Sequence, residues 1–172
     1  MSARKPSTFA DVLRTVLVMA AVLLGIALVG RAFTIDPGPP ASTLDPAEVA
    51  PHAARDAGVP LYAPRSLPPG WRATAAEMRG DVWHIGVVTA DEDYIGMEQA
   101  QASSADTLRR FAKGSRADGD VRVGGVLWSR RTEADGDTVF LRRAGSTTLL
   151  VIGSAPRQQL ESYLSSLKST GS

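Results

Sequence analysis

The sequence predicts an α+β fold: a mainly antiparallel sheet of about six strands, ordered βββα twice over, with helices on one face and one N-terminal transmembrane helix ahead of it. Three observations carry that expectation. From Trp71 onward, short runs rich in Val, Ile, Thr and aromatic residues are separated by turns built on Gly and Asp. A helical stretch follows the third of these runs and another follows the sixth. Ahead of them all, residues 15–30, TVLVMAAVLLGIALVG, carry no charge. At 172 residues with a 44% hydrophobic share, the chain has room for one modest folded domain.

The uncharged stretch spans roughly 24 Å as a helix, short of a hydrocarbon core of about 30 Å. Arg14 and Arg31 can snorkel, and Val12, Leu13, Ala32, Phe33 and Ile35 prolong the apolar run, so a helix over about residues 11–35 spans. Arg4, Lys5 and Arg14 precede the core and only Arg31 follows it closely, which places the N-terminus in the cytoplasm and the rest of the chain outside the cell membrane. The expected organisation is a short cytoplasmic segment at 1–14, a signal anchor at 15–35, a Pro-rich tether with a short helix at 36–58, and an extracytoplasmic α+β domain at 59–170. The alternative is a cleaved signal peptide, with Gly30-Arg31-Ala32 as its small-x-small site and a secreted product.

Within the tether, residues 36–44 read DPGPPASTL, an extended spacer. Asp45-Pro46 offers a helix cap and start, but Pro51 interrupts the pattern, so the helix is expected from about Pro51 to Ala57 with Gly58 as its stop. VPLYAPRSLPPGW then forms a stiff crossing that delivers Trp71 to the first strand. The strands are expected at about Trp71–Arg79, Val82–Thr89, Tyr94–Gln101, Val121–Arg131, Thr138–Arg143 and Ser146–Gly153. The first domain helix, about Ala105–Lys113, has Ser104 as cap and Leu108, Phe111 and Ala112 on one face. The second opens with Pro156 and sets Leu160, Tyr163, Leu164 and Leu167 in a core stripe. Trp71, Trp83 and Trp128 read as core residues.

Four segments carry a family likeness: Leu67-Pro68-Pro69-Gly70-Trp71, Trp83-His84-Ile85-Gly86, Tyr94-Ile95-Gly96-Met97-Glu98-Gln99, and Trp128 ahead of Arg130-Arg131. In their order and spacing the chain resembles, over nearly its whole length, an actinobacterial membrane-anchored family catalogued as a domain of unknown function (domain of unknown function 4245). The resemblance implies small proteins with one N-terminal membrane segment and supplies no catalytic residues.

Composition closes several routes. Without cysteine there is no disulfide scaffold, thiolate metal site, cysteine nucleophile or lipidated cysteine anchor. A net charge of +1 argues against a nucleic-acid partner. No Gly-x-Ser-x-Gly elbow or Ser-x-x-Lys appears. The aspartates at 91, 93, 118, 120, 135 and 137 read as turns and lack a calcium-loop pattern. No cofactor and no metal is expected.

Of the two histidines, His52 reads as a solvated surface residue. His84 lies mid-strand, where alternation sends Trp83, Ile85 and Val87 to the core and His84 to the other side. If Ile95 and Met97 share that core face, the hairpin loop has an odd count, and a loop of Asp91-Glu92-Asp93 sets Gly86 opposite Glu98. His84 and Glu98 then become diagonal neighbours on one exposed or semi-exposed face, beside Gly86 and Gly96, which leave room for a ligand to approach. Read structurally, the same pair is a polar cross-strand contact under a loop. The pairs Arg130-Arg131 and Arg142-Arg143 each give one arginine to a given face, so Arg130 and Arg142 are expected in a shared basic patch suited to an anionic envelope ligand, with Glu133, Asp135 and Asp137 near enough to neutralise it.

These readings predict a membrane-anchored extracytoplasmic binding or protein-interaction module of the cell envelope. Its partners would be the membrane, through residues 15–35, and an envelope protein or anionic envelope ligand. Two alternatives stay open: an envelope enzyme using His84 and Glu98 as acid and base, and a sensor acting through a membrane partner. The sequence leaves the oligomeric state undetermined.

Overall fold

Asp45 takes a backbone bond from the Ala47 N–H, Pro46 supplies a fixed φ without an N–H to satisfy, and helix α1 runs Pro46–Ala57 to the left-handed Gly58. The computed structural model describes residues 44–171. Pro51 was expected to start this helix and instead lies inside it. The Asp45 cap and the burial of Pro46 and Ala50 outweigh the one N–H that Pro51 removes.

The remaining elements are β1 Tyr62–Pro64, β2 Arg72–Arg79, β3 Val82–Val88, β4 Tyr94–Ala100, α2 Ser104–Phe111, β5 Arg116–Val123, β6 Val126–Thr132, β7 Thr138–Ala144, β8 Thr147–Gly153, α3 Arg157–Ser166 and β9 Leu167–Ser169. The fold is α+β with an antiparallel sheet of seven strands in the order β2-β3-β4-β8-β7-β6-β5. Two meanders, β2–β4 and β5–β8, therefore meet where β4 pairs with β8. A two-stranded piece, β1 with β9, ties the Pro-rich crossing to the end of the chain.

The expected strand Val121–Arg131 is two strands. Gly124 and Gly125, both at positive φ, make a two-residue turn that sets Val123 opposite Val126. That extra hairpin raises the count from six to seven and makes the second half ββββα.

Helices on one face is the second correction. Trp83, Ile85, Val87, Ile95, Met97, Phe140, Leu149 and Val151 pack with Leu160, Tyr163 and Leu164 of α3 and with Ala50 of α1. Leu150 and Ile152, the alternate residues of β8, join Val139 and Leu141 against Leu108 and Phe111 of α2 and Ala112 at its C-terminal cap. Strand β8 is apolar on both sides, so each side needs a cover.

Both domain helices start near the expected places. Ser103 rather than Ser104 caps α2, its hydroxyl accepting from the Asp106 N–H at 3.1 Å. In α3 the stripe residues Leu160, Tyr163 and Leu164 are buried, and Leu167 keeps its burial from β9. Trp83 and Trp128 are core residues, while Trp71 is partly buried.

Candidate functional site

Strand β3, VWHIGVV, alternates as expected. Trp83, Ile85 and Val87 face α1 and α3, which leaves His84 and Gly86 on the opposite side, where β4 contributes Tyr94, Gly96 and Glu98. The register differs from the expected one: His84 stands directly opposite Glu98, and Gly86 opposite Gly96. The hairpin closes one residue earlier, where the Thr89 N–H donates to the Asp93 carbonyl at 2.9 Å, so the loop is Ala90-Asp91-Glu92. The Thr89 hydroxyl accepts from the N–H groups of Asp91 and Asp93, and Glu92 takes the left-handed conformation at φ 64°. Three loop residues is still an odd count, which is why the faces are as expected although the pairing moved by two.

His84 Nδ1 and Glu98 Oε1 are 2.7 Å apart. The pair shares its face, but His84 is only 4% exposed, which corrects the exposed or semi-exposed setting expected for it. Glu98 retains 13% side-chain exposure. Desolvation pushes the Glu98 carboxyl above its ordinary value, with His84 pulling the other way. When Glu98 is ionised and His84 neutral, the Nδ1–H donates to the carboxylate and Nε2 keeps its lone pair, aimed away from Glu98. Glu77 of β2 flanks His84 on its other side and is engaged by Arg79 at 2.9 Å.

The two glycines were expected to leave space for a ligand. That space is taken by the chain's own residues. A Cβ on Gly96 would stand 3.1 Å from Tyr94 Cε1, and one on Gly86 would stand 3.2 Å from Tyr94 Oη. The Tyr94 ring thus lies along a two-glycine floor. A β-bulge between Ala73 and Ala75 adds Thr74 opposite Gly86, with Thr74 Oγ1 2.7 Å from that same Cβ position and His84 Nε2 3.5 Å from it. Three strands therefore bring Thr74 Oγ1, Tyr94 Oη and His84 Nε2 around one point. None of the three is hydrogen-bonded to another described residue. Tyr94 is 43% exposed, its hydroxyl pKa raised by burial and by the Glu98 charge.

Sequence reasoning missed Thr74 and Tyr94. Alternation cannot place Thr74, because the bulge that turns it toward Gly86 breaks the period. Tyr94 two residues before Gly96 did carry a readable signal, an aromatic ring beside a strand glycine on one face.

Arg130 and Arg142 do share a face, the one covered by α1 and α3, but they do not act alike. Arg130 Nε bonds Asp118 Oδ2 at 2.8 Å and keeps 20% side-chain exposure. Its neutralising carboxylate is therefore Asp118, not the acidic residues at 133–137. The Arg142 guanidinium lies over the rings of Tyr62 and Trp128, its carbon 4.7 and 4.9 Å from their centroids. Arg131 and Arg143 emerge on the other side and bond Ser115 and the Ala102 carbonyl, respectively. His52 is exposed and bonds Arg55.

Among the described residues no group of three or more His, Asp or Glu is placed to hold a metal ion. Among them, too, no helix is long and apolar enough to cross a membrane; the apolar stretch at 15–35 lies outside the described residues.

No curated protein and no solved structure matches the chain. A family of proteins does, over residues 4–167, a span that takes in the bulge, the glycine floor and the His84–Glu98 pair. On that match the chain belongs to the family described as Protein of unknown function (DUF4245).

Proposed function

We propose that the chain is a membrane-anchored, extracytoplasmic binding or protein-interaction module of the cell envelope, and that the outer face of β2–β4 is its recognition surface. One observation carries the reading: Thr74 Oγ1, Tyr94 Oη and His84 Nε2 converge from three strands without partners, at the rim of an aromatic ring that is open to solvent. Neighbouring polar atoms with no internal partner, beside a ring that solvent reaches, are suited to a ligand's donors and acceptors. The exposed ring adds apolar contact at little entropic cost. Anchoring rests on the uncharged stretch and its flanking charges.

Photo-cross-linking in intact cells tests this. A photoreactive residue at exposed Glu77, which stands opposite His84 on the same face, is expected to give a discrete adduct that weakens when His84→Gln is added, whereas the same residue at exposed Ser162 on α3 does not. Identical adducts from both positions, or none from position 77, would overturn the reading.

The orientation of His84 favours one second reading, an acid–base enzyme. Glu98 holds Nδ1 and leaves Nε2 unpartnered in the neighbourhood of the Thr74 and Tyr94 hydroxyls, where an imidazole could move a proton of a bound molecule. If the captured molecule is altered by the wild type and untouched by His84→Gln, turnover replaces simple binding.

A further inference from the structure

Arg142 is a cation that the described fold surrounds with aromatic faces and gives no acceptor. It projects from β7 onto the face covered by α1 and α3, against Tyr62 of β1 and Trp128 of β6. Both supports are fixed. Trp128 is buried, and the Tyr62 backbone is tied by its N–H to Gln99 Oε1 and by its carbonyl to the Trp83 indole, each at 2.9 Å.

The other partly buried arginines each have an acceptor, Asp118 for Arg130 and Ser115 for Arg131. Among the described residues Arg142 has none, and its Nε is closed off from solvent without a partner. Its terminal nitrogens have no acceptor among the described residues either, and the residue as a whole is only partly buried. Ring faces satisfy the flat side of a guanidinium but leave its in-plane N–H groups unmet, and a buried charged donor without an acceptor is a costly arrangement to retain.

We propose that Arg142 is an oxyanion receptor: a guanidinium fork held by the rings of Tyr62 and Trp128, whose unpartnered terminal N–H groups take a phosphate or carboxylate group of a ligand. The fork matches two oxygens of such a group, and stacking removes the rotamer entropy that a free arginine would lose on binding. The site lies on the face of the sheet opposite His84 and stands independently of the recognition surface proposed above. A soluble anion and an anionic lipid headgroup would present the same chemistry, so both are tested.

The full chain, held in nanodiscs of phosphatidylcholine, is titrated with inorganic phosphate and with acetate while tryptophan fluorescence is followed, since Trp128 touches the group. A second set of nanodiscs contains phosphatidylglycerol at graded mole fractions, so that this probe is titrated too. A saturable change is expected with at least one of the three probes. Its apparent affinity should fall tenfold or more in Arg142→Gln and by an intermediate factor in Arg142→Lys, which keeps the charge and loses the fork. Response to the free anions identifies a soluble ligand; response only in phosphatidylglycerol discs identifies a headgroup. The same probe should raise the melting temperature of the wild type and not of Arg142→Gln. Should Arg142→Gln fail to fold, Arg142→Lys carries the comparison. Wild-type and Arg142→Lys titrations that coincide, or no saturable response to any probe, would overturn the proposal.

Discussion

Gly86 and Gly153 are both buried strand glycines, but what a methyl group would strike differs. At Gly86 it meets the Thr74 hydroxyl at 2.7 Å and the Tyr94 hydroxyl at 3.2 Å, the ends of exposed side chains that can turn aside. At Gly153 it meets the Tyr94 carbonyl oxygen at 2.3 Å and Ile95 Cα at 3.2 Å, backbone of the neighbouring strand that cannot. Gly153→Ala is therefore expected to destabilise by about 3 kcal/mol or more and Gly86→Ala by about 1 kcal/mol, read from denaturant midpoints. The reverse order would mean that the glycine floor, not the strand seam, is the tighter packing. Glu98 gives a pH prediction. Burial holds its carboxyl above 4.5, so the folded chain keeps this proton to higher pH than the unfolded chain. Its contribution to stability then falls as pH rises from about 4.5 through the folded value. Stability of the wild type relative to Glu98→Gln should accordingly be greater at about pH 5 than at about pH 7; equal differences would mean that the carboxyl titrates as it does in water. The shared face of this pair was legible from alternation alone. The two-residue error in register was not avoidable by counting, because it was set by the Thr89 side chain drawing Asp91 and Asp93 into one turn.

At the scale of elements, α3 was the most legible part of the chain and β8 the least understood. Four apolar residues at helical spacing marked the α3 stripe, and Leu160 and Leu164 are buried beneath it. Leu164→Ala is expected to cost about 2 to 5 kcal/mol, the range for a buried leucine truncation; less than about 1 kcal/mol would show that α3 does not hold the core. On the same helix the Tyr163 hydroxyl is buried without a partner, so Tyr163→Phe should raise stability by about 1 kcal/mol in the same assay, and a loss would reveal a partner. In β8 the run Leu149-Leu150-Val151-Ile152 gave a readable warning that both sides are covered, since a strand with one wet face alternates. The turn at Gly124-Gly125 was legible too, as a two-residue hairpin signal inside a stretch otherwise strong enough to pass for one strand. What periodicity could not supply was which face α2 would take, because a strand that is apolar on both sides says that each side is covered and not by which helix.

For the whole molecule, the open question of scale is where the folded unit begins. Composition places the boundary near residue 59, after a Pro-rich tether and a short helix, and that division treats α1 as part of the spacer. Packing argues otherwise. Ala50 is buried in the main core, Val49, Ala53 and Ala54 pack on it, and Asp45 and Gly58 close both ends of the helix with their own hydrogen bonds. A spacer helix would gain nothing from burying those residues. Removing it would expose the faces of β1 and β2 that it covers, at a loss of roughly 2 to 4 kcal/mol for several small apolar side chains. For a domain of this size that corresponds to a drop in melting temperature of about 10 °C. Two shortened forms, one starting at residue 42 and one at residue 59, decide the matter by calorimetry. The longer is expected to unfold in one cooperative transition, and the shorter to melt about 10 °C lower or fail to fold. If the two melt together, α1 is tether and the core needs only residues 59–170; if neither folds, the β2–β4 and β5–β8 meanders depend on residues before 42 or on a partner for their stability.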